Sequence, residues 1–262
     1  MQVNPSEIRS YVNHTIKRYN IRYPLDIHSF VASLGFQIKY VDTGNCDAYT
    51  IIAKGKKLIL LNQQICAQTR INFTLAHELG HYFIPTHLEP LYACNVNELI
   101  SSRSLDNPKE EREADIFASE LLLPGKLIEK TSNISSFTDI TSVAQTYNTS
   151  IPATAIKMMA YSYDIVAFIC CKKNKIEWVT RSIGLKEYLT LNDLVGLQLP
   201  KLSLLNTCKE KKITTYKGKI PAYVWLENVD SSSFIEEEII FYPKYNTGYI
   251  LIKADRLVSI DD

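Results

Sequence analysis

A chain of 262 residues with 46% hydrophobic side chains can bury one large core or two modest ones, and two domains are expected. Lys and Arg number 29 against 28 Asp and Glu, a formal net charge of +1, so no overall field recruits nucleic acid or an anionic membrane. The polar start Met1-Gln2-Val3-Asn4-Pro5 lacks the apolar core of a signal peptide, no later run is long enough to span a bilayer, and the six cysteines show no C-x-x-C spacing, so a soluble cytoplasmic protein with reduced thiols is expected.

In chain order, Pro5 helps to start a helix over residues 6–19, and a second helix over 26–34 ends at Gly35, which suits the position after a helix. Residues 36–41 alternate in polarity. Residues 48–53 and 58–61 flank the turn Lys54-Gly55-Lys56-Lys57 as in a β-hairpin, so a small antiparallel sheet is expected. Next comes His77-Glu78-Leu79-Gly80-His81. Its flanks Phe73-Thr74-Leu75-Ala76 and Tyr82-Phe83 are apolar or small, so a helix here can be buried with one polar side towards a cleft, and Asn72 is the expected N-cap. His residues at i and i+4 share one helix face, as a tetrahedral Zn²⁺ requires, and the Glu between them is placed to be a general base. Such a pentapeptide also recurs by chance as two partly exposed His side chains. The helix context and a third ligand downstream favour zinc.

Pro85 and Pro90 stop that helix, and residues 86–108 have the composition of a long loop, of the kind that often carries function. Pro108 then opens a helix through Leu122, closed by Pro124-Gly125, with Ala114, Phe117, Ala118 and Leu121 as its apolar stripe. The alanines would let another helix approach closely. A catalytic zinc needs three protein ligands, and three residues compete for the third place. His87 has the spacing of the last His in H-E-x-x-H-x-x-G-x-x-H, but Ile84 stands where that pattern needs a turning glycine. Glu111 precedes Asp115 by four, so both project from one face: Glu111 can bind the ion while Asp115 accepts the free N–H of a liganding imidazole. Glu113 lies to the side of that stripe. Interaction with the helix dipole would explain an acidic first turn without any metal.

Residues 137–161 hold two short helical patterns broken at Ser150-Ile151-Pro152, like a helix-turn-helix. Lys157 is nearly the only base on the second, and phosphate contacts need several, so a helical hairpin is favoured over direct DNA binding. Beyond Tyr163 the runs 165–170, 176–179, 213–216, 222–229, 234–242 and 249–252 are rich in Ile, Val, Tyr and Phe, which predicts a β-rich second domain. The boundary is set there, giving domains 1–163 and 164–262.

The segment Arg70-x-x-Phe73-Thr74-Leu75-Ala76-His77-Glu78-Leu79-Gly80-His81, followed by Glu111-Arg112-Glu113-Ala114-Asp115-Ile116-Phe117-Ala118-Ser119-Glu120-Leu121-Leu122-Leu123-Pro124, resembles the ImmA/IrrE metallopeptidases. The resemblance covers roughly residues 1–160, with the helix-turn-helix-like segment, and no motif matches in the C-terminal third. It implies an α+β fold with a zincin-like, gluzincin-like metallopeptidase domain, followed by a β-rich domain that in some relatives is a GAF-like sensor. It also implies one catalytic Zn²⁺ on His77, His81 and Glu111, with Glu113 as the alternative third ligand and Glu78 as general base. The implied activity is a bacterial or phage-borne endopeptidase. Its substrate would be a helix-turn-helix (XRE-type) repressor, cleaved to derepress genes of a mobile element or stress response. His87, Tyr82 and Tyr92 are candidates for stabilising the oxyanion. The competing reading is a non-proteolytic transcription regulator or sensor whose zinc site is structural or vestigial. The intact Glu78 argues against that, because a structural site needs no base.

Overall fold

Asn4 and Pro5 set the start of the first helix in the computed structural model, which describes residues 3–53, 55–87 and 108–255. In α1 (Pro5–Arg18) the Asn4 side chain accepts from the Ser6 N–H at 3.2 Å, and proline, with no N–H to leave orphaned, takes the first turn. In α2 (Ile27–Ser33) the Asp26 carboxylate accepts from the Ser29 N–H at 3.2 Å, and Gly35 at φ +82° makes the left-handed exit.

Strands β1 (Phe36–Val41), β2 (Ala48–Ala53) and β3 (Lys56–Asn62) form a sheet in the order β1-β3-β2. β2 and β3 pair antiparallel, as the hairpin pattern predicts, but β1 runs parallel to β3, so this sheet is mixed rather than antiparallel. The cause lies in β3. Ile59, Leu60 and Leu61 are all buried, on both faces, which puts that strand in the centre and sends residues 42–47 from one edge to the other.

Helix α3 (Gln68–Phe83) starts a turn earlier than expected, and Asn72 is not its N-cap. Buried inside the helix, Asn72 accepts from Gln68 Nε2 one turn back at 2.9 Å and donates to the distant Asn148 carbonyl at 3.2 Å, so its amide is satisfied without capping the helix. The helix ends before Pro85, which opens a 3₁₀ turn (Pro85–His87). Helix α4 (Pro108–Leu122) begins on its proline as expected. Leu75, Ala76 and Leu79 of α3, Phe117, Ala118 and Leu121 of α4, and Ile59 and Leu61 of β3 make one core at 0% exposure. Each buried leucine there stabilises the fold by about 1.5–3 kcal/mol.

Contacts divide the chain into two units: Met1–Pro124 with Ala144–Ser150, and Gly125–Val143 with Ile151–Asp262. Position 163, where the sequence turns β-rich, falls inside the second. After the turn α5 (Gly125–Ile128), the helix-turn-helix-like segment forms α6 (Phe137–Tyr147) and α7 (Ile151–Met159). Met158, Met159 and Lys157 of α7 are buried, and α7 packs on β4 (Val166–Lys172) and β5 (Lys175–Arg181).

The chain continues through α8 (Ile183–Tyr188), β6 (Thr190–Leu191), α9 (Leu204–Lys211), β7 (Thr215–Pro221), β8 (Leu226–Glu227), β9 (Phe234–Tyr242) and β10 (Thr247–Lys253). The main sheet has the order β5-β4-β10-β9-β7, every neighbouring pair antiparallel. The mixed α+β class with a β-rich C-terminal region is as the sequence predicts. The two helices α8 and α9 are not, and residues 222–229 hold a 3₁₀ turn and the two-residue β8 rather than a full strand. Cys170, Cys171 and Cys208 are buried free thiols, Cys66 is exposed, and Cys94 lies outside the described residues. Among the described residues no helix is long and apolar enough to cross a membrane.

Candidate metal centre

His77 and His81 lie one turn apart on α3, and their rings meet edge to face with centroids 4.9 Å apart. Their Nε2 atoms face each other at 3.1 Å. What brings a carboxylate to them is the crossing of α3 and α4 at Gly80 and Ala114. A Cβ on Gly80 would sit 3.0 Å from Ala114 Cα and 3.2 Å from its Cβ and carbonyl oxygen, so glycine is what lets the helices come this close. Glu111 and Asp115, on either side of Ala114, then straddle the imidazoles. Glu111 Oε2 is 3.1 Å from His77 Nε2, Glu111 Oε1 is 3.4 Å from His81 Nε2, and Asp115 Oδ1 is 3.0 Å from His77 Nδ1.

Among the described residues, His77, His81 and Glu111 are the group of His, Cys, Asp or Glu whose ligand atoms converge, all within 4.8 Å of one another. These distances fit an ion. Donor atoms about 2.0–2.1 Å from a tetrahedral zinc lie roughly 3.3 Å from one another, close to the spacings of 3.1, 3.1 and 3.4 Å here. Two imidazoles and one carboxylate are a mixed N/O donor set that suits zinc among the common transition metals.

The electrostatics also favour a cation at this point. Burial alone would lower the basicity of His77, but hydrogen bonds to Asp115 and Glu111 outweigh it and push its pKa up to about 10. Hydrogen bonds from His77 and His81 hold the Glu111 carboxyl well below the usual carboxylate range. Metal-free His77 is therefore protonated at pH 7 and must lose a proton before Nε2 can bind a metal. Zinc uptake at pH 7 should release about one proton, with affinity climbing by up to tenfold per pH unit towards about 10. Calorimetry in buffers of different ionisation enthalpy measures this, and uptake without proton release would contradict it. The sign for the metal-free fold is the reverse: the raised pKa stabilises it fully below pH 6.5, and that gain is lost as pH rises through about 10.

Glu78 is not among the converging atoms. It is 4% exposed, and its Oε2 accepts from Thr50 Oγ1 on β2 at 2.6 Å. Arg70 ties the first turn of α3 to the start of the same strand through two contacts with Asp47, at 2.7 and 2.6 Å. Nothing in the sequence singled out Thr50.

The other candidates are placed elsewhere. Glu113 is buried, with His87 Nε2 at 2.9 Å from its Oε2 and Lys109 Nζ at 3.3 Å from its Oε1, so it does not join the two helix histidines. His87 is no member of the converging group either; its Nδ1 lies 3.1 Å from His81 Nδ1. Burial lowers the pKa of His87, against the raising effect of its bond to Glu113. The Tyr82 hydroxyl accepts from Lys57 Nζ at 2.8 Å, with its ring edge-on to Phe36. Tyr92 and most of the expected 86–108 loop lie outside the described residues.

Gly80→Ala tests the crossing. A helix gains about 1 kcal/mol from such a change, whereas forcing apart a packed contact costs about 1–3 kcal/mol. Denaturant unfolding should show a net loss, and a metal ion held by Glu111 would bind more weakly because that carboxylate is displaced. A variant as stable and as tight-binding as the parent would contradict this.

Comparison with known proteins agrees with the motif. Residues 32–159 match the IrrE N-terminal-like domain of the peptidase M78 family. Over 78 residues the chain is 33% identical to metallopeptidase ImmA of Bacillus subtilis (strain 168), a match that takes in 30% of this chain and only 41% of that relative. A Mycobacterium tuberculosis transcriptional regulator shares the fold, with a TM-score of 0.56 over 97% of this chain and 83% of the other, at 10% identity. Over residues 32–159 the chain is thus similar to the IrrE N-terminal-like domain, and over a shorter stretch to a metallopeptidase of which it spans less than half.

Proposed function

We propose that this chain is a zinc-dependent endopeptidase that cuts a helix-turn-helix repressor of the XRE type and so derepresses genes of a mobile element or stress response. One arrangement carries the reading: two imidazoles and a carboxylate converge on α3 and α4, with a buried Glu78 between the histidines in sequence but outside their cluster. In this account His77, His81 and Glu111 hold the ion and Asp115 accepts the Nδ1–H of His77. When bound, zinc supplies a Lewis acid that polarises the scissile carbonyl and makes water more acidic.

The remaining steps belong to the protein. The Glu78 carboxylate takes a proton from the attacking water and returns it to the nitrogen of the leaving amine. The Thr50 hydroxyl, donating to Glu78 Oε2, holds that carboxylate in one orientation. A metal site without hydrolytic function would need neither group. In the same proposal residues 1–163 cut the substrate in a bacterial or phage-infected cytoplasm, and residues 164–262 act as a GAF-like sensor. Direct DNA reading by the helix-turn-helix-like segment is disfavoured, because Lys157, the base on its second helix, is 9% exposed.

The test is to incubate zinc-loaded protein with a repressor encoded beside it, with and without a chelator, and to follow the products by mass spectrometry. A single discrete cut that disappears with the chelator is expected. Binding without any cut would favour a non-proteolytic regulator.

A further inference from the structure

His81 faces a second histidine, and hydrogen-bonding logic determines which of the two carries the intervening proton. A neutral imidazole has one N–H and one acceptor nitrogen, so a ring that binds metal through Nε2 must hold its proton on Nδ1. The neighbour of His81 Nδ1 is His87 Nδ1 at 3.1 Å. If His81 Nδ1 donates, His87 Nδ1 accepts, and the His87 proton must sit on Nε2. There it meets Glu113 Oε2 at 2.9 Å, which as a carboxylate can only accept. The opposite assignment turns a bare His87 Nε2 towards that carboxylate and puts the His81 proton on Nε2, the atom that faces His77 Nε2 at 3.1 Å. The first assignment satisfies the chain His81–His87–Glu113 and bares His81 Nε2, so that a metal ion between Nε2 and Glu111 Oε1, 3.4 Å apart, would replace the proton those two atoms share without it.

We propose that His87, held by Glu113, is a positioning residue: it accepts from His81 Nδ1–H and fixes the tautomer in which His81 Nε2 faces the metal. The inference rests on the metal-site reading above. It gives His81 what Asp115, 3.0 Å from Nδ1, gives His77. The relay is built into the fold. The His87 side chain is 0% exposed and that of Glu113 is 7% exposed, with Lys109 Nζ 3.3 Å from the second Glu113 oxygen. His87 is carried there by the 3₁₀ turn at Pro85–His87, whose last residue donates its N–H to the Ile84 carbonyl at 3.1 Å. Thus the histidine at the spacing of a third ligand stands behind a ligand instead.

The experiment is zinc affinity by competition with a chromophoric chelator, for the full chain and its variants, with metal-free thermal unfolding measured in parallel. His87→Ala should weaken zinc binding by about 10–100-fold. His87→Asn, whose side-chain oxygen can take the place of Nδ1, should recover a large part of it. NMR of ¹⁵N-histidine-labelled, zinc-loaded protein should place protons on His81 Nδ1 and His87 Nε2. Parental affinity in His87→Ala, no recovery in His87→Asn, or a proton on His87 Nδ1 would each overturn the proposal. If His87→Ala fails to fold, the His87→Asn affinity and the NMR assignment still decide. Should His77→Ala with His81→Ala leave zinc content unchanged, the metal-site reading itself fails and takes this proposal with it; should they abolish zinc binding while His87→Ala does not, only the positioning role is lost.

Discussion

Glu78→Gln should keep the fold and the bound zinc while lowering cleavage of the cognate repressor by about 10²–10⁴-fold, the usual contribution of a positioned proton-transfer group. The replacement has the same shape, and its amide oxygen can still accept from Thr50 Oγ1, 2.6 Å from Glu78 Oε2 in the parent. What it lacks is the ability to take a proton from water. Because Glu78 is outside the converging ligands, zinc affinity should not follow the loss of activity. Timed digestion followed by mass spectrometry, beside a pull-down of the uncut repressor, separates the two effects. If Glu78→Gln relieves repression in cells as well as the parent does, the protein works by binding its partner and the peptidase reading falls.

Glu111→Ala should be the most damaging single change to zinc affinity on α4. In the proposed site it removes one of three ligands, and the loss should exceed the about 10–100-fold that follows from removing an outer partner of a ligand. Glu113→Ala acts only through His87 and Asp115→Ala only through His77, so each should cost about 10–100-fold. The two glutamates are separated by burial as well. The Glu111 side chain is 49% exposed and that of Glu113 is 7% exposed, so Glu113→Ala should lower thermal stability more than Glu111→Ala does. Chelator competition gives the ranking, and a larger zinc loss for Glu113→Ala would move the third ligand to that residue.

Features written in neighbouring residues were legible in the sequence, and those that depend on the crossing of distant elements were not. Asn4 with Pro5, Asp26 with Gly35, and Pro108 carry their own start and stop signals, so α1, α2 and α4 begin and end close to where expected. The i, i+4 histidines are likewise local. Asn72 looked like a cap because its type fits one, yet its partners are Gln68 and Asn148, and no local signal marks the start at Gln68.

Helix α9 was missed for a related reason. Its cap at Ser203 is completed by Glu237, a buried residue of β9 that accepts from Ser203 Oγ at 2.7 Å and from the Leu204 N–H at 2.7 Å. In the site, sequence spacing offered both Glu111 and Glu113. The close approach of Gly80 to Ala114 brings the first to the histidines and leaves the second behind, against His87. The direction in which His87 turns, and the bond from Thr50, follow from packing alone.

The central claim is that His77, His81 and Glu111 hold one metal ion. A crystal of the full chain grown with zinc, with data collected on both sides of the zinc absorption edge, tests it most directly. The account predicts one strong anomalous peak about 2.0–2.2 Å from His77 Nε2, His81 Nε2 and a Glu111 oxygen, with Asp115 and His87 at the outer ring nitrogens. A crystal with no peak there, or one whose peak is coordinated by His87 or Glu113 in place of Glu111, would contradict it.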